Sequence, residues 1–197
     1  MLTRLFDIVV ASVALAIASP ILAAAAMAIR LESHGPVIYR QRRVGKDGEP
    51  FEMLKLRTMV SGAEHIGAGL AVNEGDPRIT RTGALLRRFS LDELPNLINV
   101  LRGEMSIVGP RPTIQVQVDQ YTDHQRRRLE VKPGITGWAQ VNGRTSLPWP
   151  ERIELDVWYV DHRSLKLDFQ ILARTVRMLV TGEGLYKGET GGWKPVE

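Results

Sequence analysis

An aspartate followed directly by a glutamate, Asp92-Glu93, sits in a 197-residue chain that carries 26 lysines and arginines. Two adjacent acids are on their own a weak sign of chemistry. Ser90-Leu91-Asp92-Glu93 is also a capping-box pattern, and acids at a helix start are ordinarily held by the cap and the helix dipole. Neighbours on a helix point about 100° apart, so the two carboxylates need not share one role. What sets this pair apart is its company: Lys55, Arg57, Arg78, Arg81, Arg87, Arg88, Arg111 and Arg144 in one small domain. A helix N-terminus ringed by arginines is an anion site. A carboxylate placed there is expected to have a depressed pKa and to be fully ionised, able to hold a divalent cation or to attack phosphorus. Arg111 stands between Pro110 and Pro112, which stiffen the bend. That suits a clamp on phosphate, and equally a surface arginine in a rigid turn.

The elements that must position these groups begin with Ile8 to Ile29, twenty-two residues without a charge. A straight helix of that length spans roughly 33 Å, enough to cross a bilayer. Ser19-Pro20 lies in its middle. Pro20 has no N–H to donate, and the Ser19 hydroxyl can turn onto the same stretch of backbone, so a bend is expected there. A helix bent at mid-depth enters and leaves on one face of the membrane. Three other readings compete: a cleaved signal peptide, a straight spanning helix with its arginine-rich C-terminal flank in the cytoplasm, and a helix buried in a soluble core.

Beyond it, Val37–Val44 and Phe51–Met59 read as strands around the turn at residues 45–48. Residues 61–77 read as a long functional loop. Helices are predicted over Arg81–Arg88, from Asp92 toward Leu101, over Val116–Leu129, over Pro150–His162 and over Asp168–Val180. The last of these has a stripe of Phe169, Leu172, Val176 and Leu179 that packs on a core by default, or lies in a membrane interface with snorkelling arginines. The formal net charge is +4, with 4 His and no Cys. These numbers exclude a disulfide framework, a thiol nucleophile and a zinc–thiolate site, and argue against a His-rich metal site. Anionic lipid, nucleotides and nucleic acid stay open as partners.

Taken in order, five blocks carry a specific resemblance: Phe51-Glu52-Met53-Leu54-Lys55-Leu56-Arg57-Thr58-Met59; Asp76-Pro77-Arg78-Ile79-Thr80-Arg81; Ser90-Leu91-Asp92-Glu93-Leu94-Pro95-Asn96; Ser106 through Pro112; and Pro133 through Arg144. The chain resembles the bacterial sugar transferases, the small monotopic phosphoglycosyl transferases, from Phe6 to about Val180. It is similar to the minimal catalytic form, without the extra N-terminal membrane helices of larger members.

The resemblance implies an α+β fold: a monotopic membrane protein with an N-terminal re-entrant helix broken at Ser19-Pro20, interfacial amphipathic helices and a small β portion. Residues 1–33 are then the anchor, 34–181 a catalytic domain on the cytoplasmic face of the bacterial inner membrane, and 182–197 a tail. It implies transfer of a sugar-1-phosphate from a UDP-sugar to polyprenyl (undecaprenyl) phosphate, with UMP released and Mg²⁺ as cofactor. Asp92 matches the family nucleophile and Glu93 its dyad partner. Lys55, Arg57, Arg78, Arg87, Arg111 and Arg144 are substrate-binding candidates. Asp156 matches another acidic position, a candidate with Asp92 for Mg²⁺ or for the donor. Trp138 and Trp149 either stack on uracil or pack. Membrane lipid is an expected partner and nucleic acid is not; a monomer and a homodimer are both compatible. Two rival classes are a non-catalytic basic membrane adaptor and a membrane-tethered hydrolase of nucleotide sugars.

Overall fold

The computed structural model describes residues 2–66, 75–143 and 147–181. Helix α1, Leu2–Glu32, is followed by a hairpin of β1, Ile38–Val44, and β2, Pro50–Leu56. Helices α2, Arg81–Arg88, and α3, Asn96–Arg102, lead to β3, Ser106–Val108. Two short helices, α4 (Gln115–Val118) and α5 (Asp123–Arg126), precede β4, Gly134–Thr136. Then come α6 (Trp138–Val141), α7 (Trp149–His162) and α8 (Leu165–Thr181). The strands form two separate pairs, β1–β2 antiparallel and β3–β4 parallel. This is the expected mixture of helix with a small β portion.

Helix α1 runs through Ser19-Pro20 as one element, so the expected break does not interrupt it. Local chemistry accounts for this. Pro20 leaves the Ala16 carbonyl without its usual donor, and the Ser19 hydroxyl donates to that carbonyl at 2.8 Å, replacing the missing bond. By length and composition α1 could cross a membrane. A narrow stripe of Asp7, Ala11, Ala18, Ala25 and Ile29 is buried, while Leu5, Val9, Val13, Ile17 and Ile21 are exposed along the helix. The small alanines let α1 lie close to the body, and the large apolar side chains face outward.

Both ends of α1 are fastened to the same body. Near its start, Arg4 donates to the Val100 and Leu101 carbonyls at the end of α3. Asp7 accepts from the Ser106 hydroxyl and the Ile107 N–H of β3, each at 2.9 Å. At its other end, Glu32 accepts from the Arg81 and Thr82 N–H groups at 2.8 and 2.9 Å, a carboxylate on the positive end of α2. Ala25 and Ile29 pack there with Leu56 and Leu86. The main core joins Ala11 of α1 with Phe51 and Met53 of β2, Leu97 and Val100 of α3, Ile107 of β3, Tyr159 of α7, and Leu167 and Ile171 of α8.

Three local expectations change. The helix from Asp92 is instead a single 3₁₀ turn, Leu91–Glu93, followed by α3. Ser90 sits at φ 54°, and its side chain makes no cap, so the capping box is not formed. The stretch 116–129 is broken because Thr122 and Gln125 do form a capping box, which restarts the chain as α5. In α8 the core face is Leu167 and Ile171, whereas Phe169, Val176 and Leu179 are 57%, 60% and 46% exposed. The stripe is thus split: Leu172 packs against the core as the default reading expects, while the other three face outward as the interfacial alternative expects.

Candidate active site

The 3₁₀ turn carrying Asp92 and Glu93 lies between α2 and α3 and packs against β2. Asn99, fully buried on α3, fixes that placement: its Oδ1 accepts from the Leu54 N–H at 3.0 Å, and its Nδ2 donates to the Glu52 carbonyl at 2.7 Å. It thereby satisfies a buried strand edge that would otherwise be left unpaired. On the other side, Gly83 of α2 lies so close to β2's continuation that an added Cβ would come within 2.0 Å of the Thr58 carbonyl oxygen. That backbone approach lets Arg87 Nε donate to the Thr58 hydroxyl at 2.8 Å. Gly134 plays the same part beneath Gly109, where a Cβ would lie 2.1 Å from the Gly109 nitrogen. The bend leading into Arg111 is seated there.

Glu93 is the hub. Its Oε1 accepts from Lys55 Nζ at 2.9 Å and from Arg111 Nη2 at 2.6 Å. Burial pushes its carboxyl up, but the charges of Arg111 and Lys55 outweigh this and hold it well below the usual range. Burial pushes the Lys55 ammonium down, against the pull of Glu93. Asp92 behaves in the opposite way from Glu93. Its carboxylate makes no hydrogen bond or ion pair among the described residues. Burial first, and then Glu93's charge, push it above the ordinary aspartate value, against Lys55, Arg87 and Arg111. The expectation of a depressed pKa therefore holds for Glu93 and fails for Asp92, because Glu93 takes the direct cationic contacts.

Asp92, Glu93, Lys55, Arg87 and Arg111 are thus brought together. Arg57 is not with them: its guanidinium is buried under the end of α1, donating to the Ser33 carbonyl at 2.8 Å and to that of His34. Arg78 is also turned elsewhere, paired with Asp76 at 2.6 Å and donating to the Ala63 and Ile66 carbonyls at 2.8 and 2.7 Å. Both serve the fold, by pinning chain reversals around the site. Arg144 lies outside the described residues, as does the tail after Thr181.

Asp156 is buried and paired with Arg128 at 2.5 Å. Arg128 in turn donates to the Arg111 carbonyl at 2.9 Å and to the Tyr121 hydroxyl. The Asp156 side chain therefore acts on the site through Arg128 and the backbone of Arg111, and Asp92 is not among its neighbours in charge. Reading the sequence missed Asn99 and Arg128. Asn96 and Asn99, three apart in an otherwise apolar helix, are a signal for the first. Arg128 has none, because its partner is 28 residues away. Trp138 stacks on Trp158 at 4.9 Å between ring centres, and Arg174 lies over the Trp138 ring at 5.0 Å. Arg128 and Arg152 lie over Trp149 at 5.8 and 5.9 Å. Both indoles are engaged by packing.

Among the described residues no three acids or histidines converge on a point. The residues present still fit Mg²⁺ in its usual mode at phosphate sites, where one or two carboxylates and the substrate's phosphates share the ion with water. The unpartnered carboxylate of Asp92 is the donor available for that mode. Asp156 is paired with Arg128 through Oδ2, and its Oδ1 is buried without a hydrogen-bond partner among the described residues.

This sequence matches the family described as bacterial sugar transferase over residues 1–182. Relatives include an uncharacterized sugar transferase, EpsL, of Bacillus subtilis (strain 168), 46% identical over 93% of this chain and 90% of that protein. A UDP-glucose:undecaprenyl-phosphate glucose-1-phosphate transferase of Caulobacter vibrioides is 43% identical over 93% of this chain and 71% of that protein. A UDP-N-acetylgalactosamine-undecaprenyl-phosphate N-acetylgalactosaminephosphotransferase of Aeromonas hydrophila is 42% identical over 92% of this chain, which spans 44% of that protein. The five motif blocks and this match agree: the chain belongs to the bacterial sugar transferase family and is a transferase.

Proposed function

We propose that the protein transfers a sugar-1-phosphate from a UDP-sugar to polyprenyl phosphate through a phosphosugar–Asp92 intermediate, an opening membrane step of glycan assembly. The observation that carries this reading is the division of labour at the turn. Glu93 absorbs Lys55 and Arg111, leaving Asp92 unpaired, partly desolvated and within their field. A carboxylate with a raised pKa is a better nucleophile once ionised, and the nearby charges of Lys55, Arg87 and Arg111 favour that ionised form. The relatives' names point to the same substrates.

In this scheme the donor's diphosphate lies against Lys55, Arg87 and Arg111. An Asp92 oxygen attacks the phosphorus that carries the sugar. The bond to the bridging oxygen breaks, and UMP leaves with the electron pair. The resulting acyl phosphate keeps its transfer potential until an oxygen of polyprenyl phosphate attacks the same phosphorus. That step releases the Asp92 carboxylate and gives polyprenyl-diphosphate-sugar. Asp92 is the residue that would hold Mg²⁺ beside the substrate's phosphates, and the ion would supply charge neutralisation that lowers repulsion between nucleophile and substrate.

Incubation with a panel of UDP-sugars tests the reading. Without acceptor, the productive donor should release about one UMP per enzyme and stop; undecaprenyl phosphate should restore continuous release, and excess EDTA should suppress it. Continuous UMP release without acceptor overturns the transferase reading in favour of a hydrolase. Release that survives EDTA removes Mg²⁺ from the scheme.

Re-entrant insertion is proposed with it. Arg4 and Asp7 tie one end of α1, and Glu32 ties the other, to a single body. A cytoplasmic body held at both ends favours a helix that enters and leaves on one face. The chain has no native cysteine, so cysteines placed at Thr3 and Ser33 report topology directly. An impermeant thiol reagent should reach neither in intact cells and both after lysis. Labelling of one site from outside would establish a spanning helix.

A further inference from the structure

A third arginine, the fourth cation of the site, faces this turn, and its binding contacts are incomplete. Along β1 the side chains alternate: Arg40 and Arg42 are exposed, whereas Tyr39, Gln41 and Arg43 are half-buried. In the β1–β2 register Tyr39 lies opposite Lys55, Gln41 opposite Met53 and Arg43 opposite Phe51. Partners across an antiparallel pair share a face, so Arg43 stands on the side of the hairpin that carries Lys55. Next to it, the Val44 N–H donates to the Thr113 carbonyl at 2.9 Å. That bridge draws the end of β1 alongside the segment containing Arg111.

The Arg43 guanidinium is oriented without being neutralised. Its Nε and Nη2 both donate to Gln41 Oε1, at 3.1 and 2.6 Å. Gln41 is an uncharged acceptor. Among the described residues no carboxylate lies within ion-pairing distance of Arg43, whereas Arg40, Arg78, Arg111, Arg127 and Arg128 each have one. Burial, and then the like charge of Arg111, push Arg43 down to about 10, with Tyr39 and then Glu93 only partly opposing them. Lys55, Arg87, Arg111 and Arg43 therefore face two carboxylates, and the surplus is positive. A desolvated, unneutralised guanidinium is costly to keep, and its planar fork matches two phosphate oxygens.

We infer that Arg43, aimed by Gln41, is a phosphate-binding residue of the site, acting beside Arg111. This rests on the phosphoglycosyl transfer proposed above. The phosphate has two possible sources, the nucleotide phosphate that departs as UMP and the lipid phosphate that attacks second. Both present the same singly bonded oxygens to the fork.

Rapid-quench kinetics on the full-length protein separates them. Arg43→Gln, with Arg42→Gln as an exposed control on the opposite face of the strand, is compared with wild type using labelled UDP-sugar and undecaprenyl phosphate. The expected result is a loss of roughly tenfold or more in one half-reaction for Arg43→Gln, with the control unchanged. Slower adduct formation from the donor alone assigns Arg43 to the nucleotide phosphate. Normal adduct formation with slow discharge assigns it to the lipid phosphate. Arg43→Lys keeps the charge without the fork and should fall between the two; if Arg43→Gln does not fold, Arg43→Lys carries the comparison. Both half-reactions within twofold of wild type in the folded variants overturn the inference. A wild type that forms neither adduct nor lipid product overturns the transferase reading itself, and this inference with it.

Discussion

Replacing Asp92 with asparagine removes turnover and leaves the fold as stable as before, or more so. The two halves of that result come from one fact, that the Asp92 carboxylate has no partner among the described residues. An amide oxygen carries no negative charge and cannot be released from phosphorus as a carboxylate leaving group, so both transfer steps lose their reacting atom. A drop on the order of 10³-fold or more in turnover is expected, as for removal of other covalent nucleophiles. No labelled phosphosugar should remain on the protein by intact-mass analysis. Stability should move the other way. Asp92 is partly buried beside Glu93, and both effects oppose its charge; asparagine removes the charge, breaks no ion pair and fits the same turn. The melting temperature of the purified variant should therefore match or exceed that of wild type. An Asp92→Asn protein that melts early and retains activity would show that the side chain supports the turn and does no chemistry.

How much of this could be read from the residues follows from the range of each interaction. The β1–β2 hairpin was legible, because alternation and a glycine-bounded turn are local signals. The dyad and its cations were legible as a set, since five ordered motif blocks carry them. Which arginines reach the dyad was not. Arg57 and Arg78 stand in the same blocks as Lys55 and Thr80, yet both bind backbone carbonyls of distant reversals. That choice depends on where α1 ends and where the segment after β2 returns, which no spacing rule encodes. The failed capping box at Ser90 has a similar cause. Pro95 and the contacts of α3 with β2 decide where that helix begins, and the intrinsic preference of a serine followed by two acids is weaker than either. The partner of Asp156 was not legible for a related reason. Its partner Arg128 ends a run of three arginines that looks solvated in sequence, whereas Arg128 itself is 3% exposed.

The same geometry makes Glu93→Gln a test of electrostatics, with a sign that can be worked out in advance. In the wild type, Glu93's charge raises Asp92 while Lys55, Arg87 and Arg111 lower it. Glutamine removes the raising charge and releases Lys55 and Arg111 from their pair, so Asp92 should ionise at lower pH. Since the ionised form is the nucleophile, the acid limb of kcat/KM should move to lower pH. Lys55→Met removes a lowering charge, and its limb should move to higher pH. Opposite displacements from two substitutions on one ion pair are hard to obtain from a general loss of structure. At the optimum, Glu93→Gln should lose roughly 10²-fold in rate, because Arg111 and Lys55 are no longer held toward the phosphates. Its stability cost should be about 1–3 kcal/mol, less than for a fully buried pair, because Arg111 is 47% exposed and water takes over part of the lost contact. Should both variants keep the wild-type acid limb, the ionisation that governs the rate belongs to a group other than Asp92.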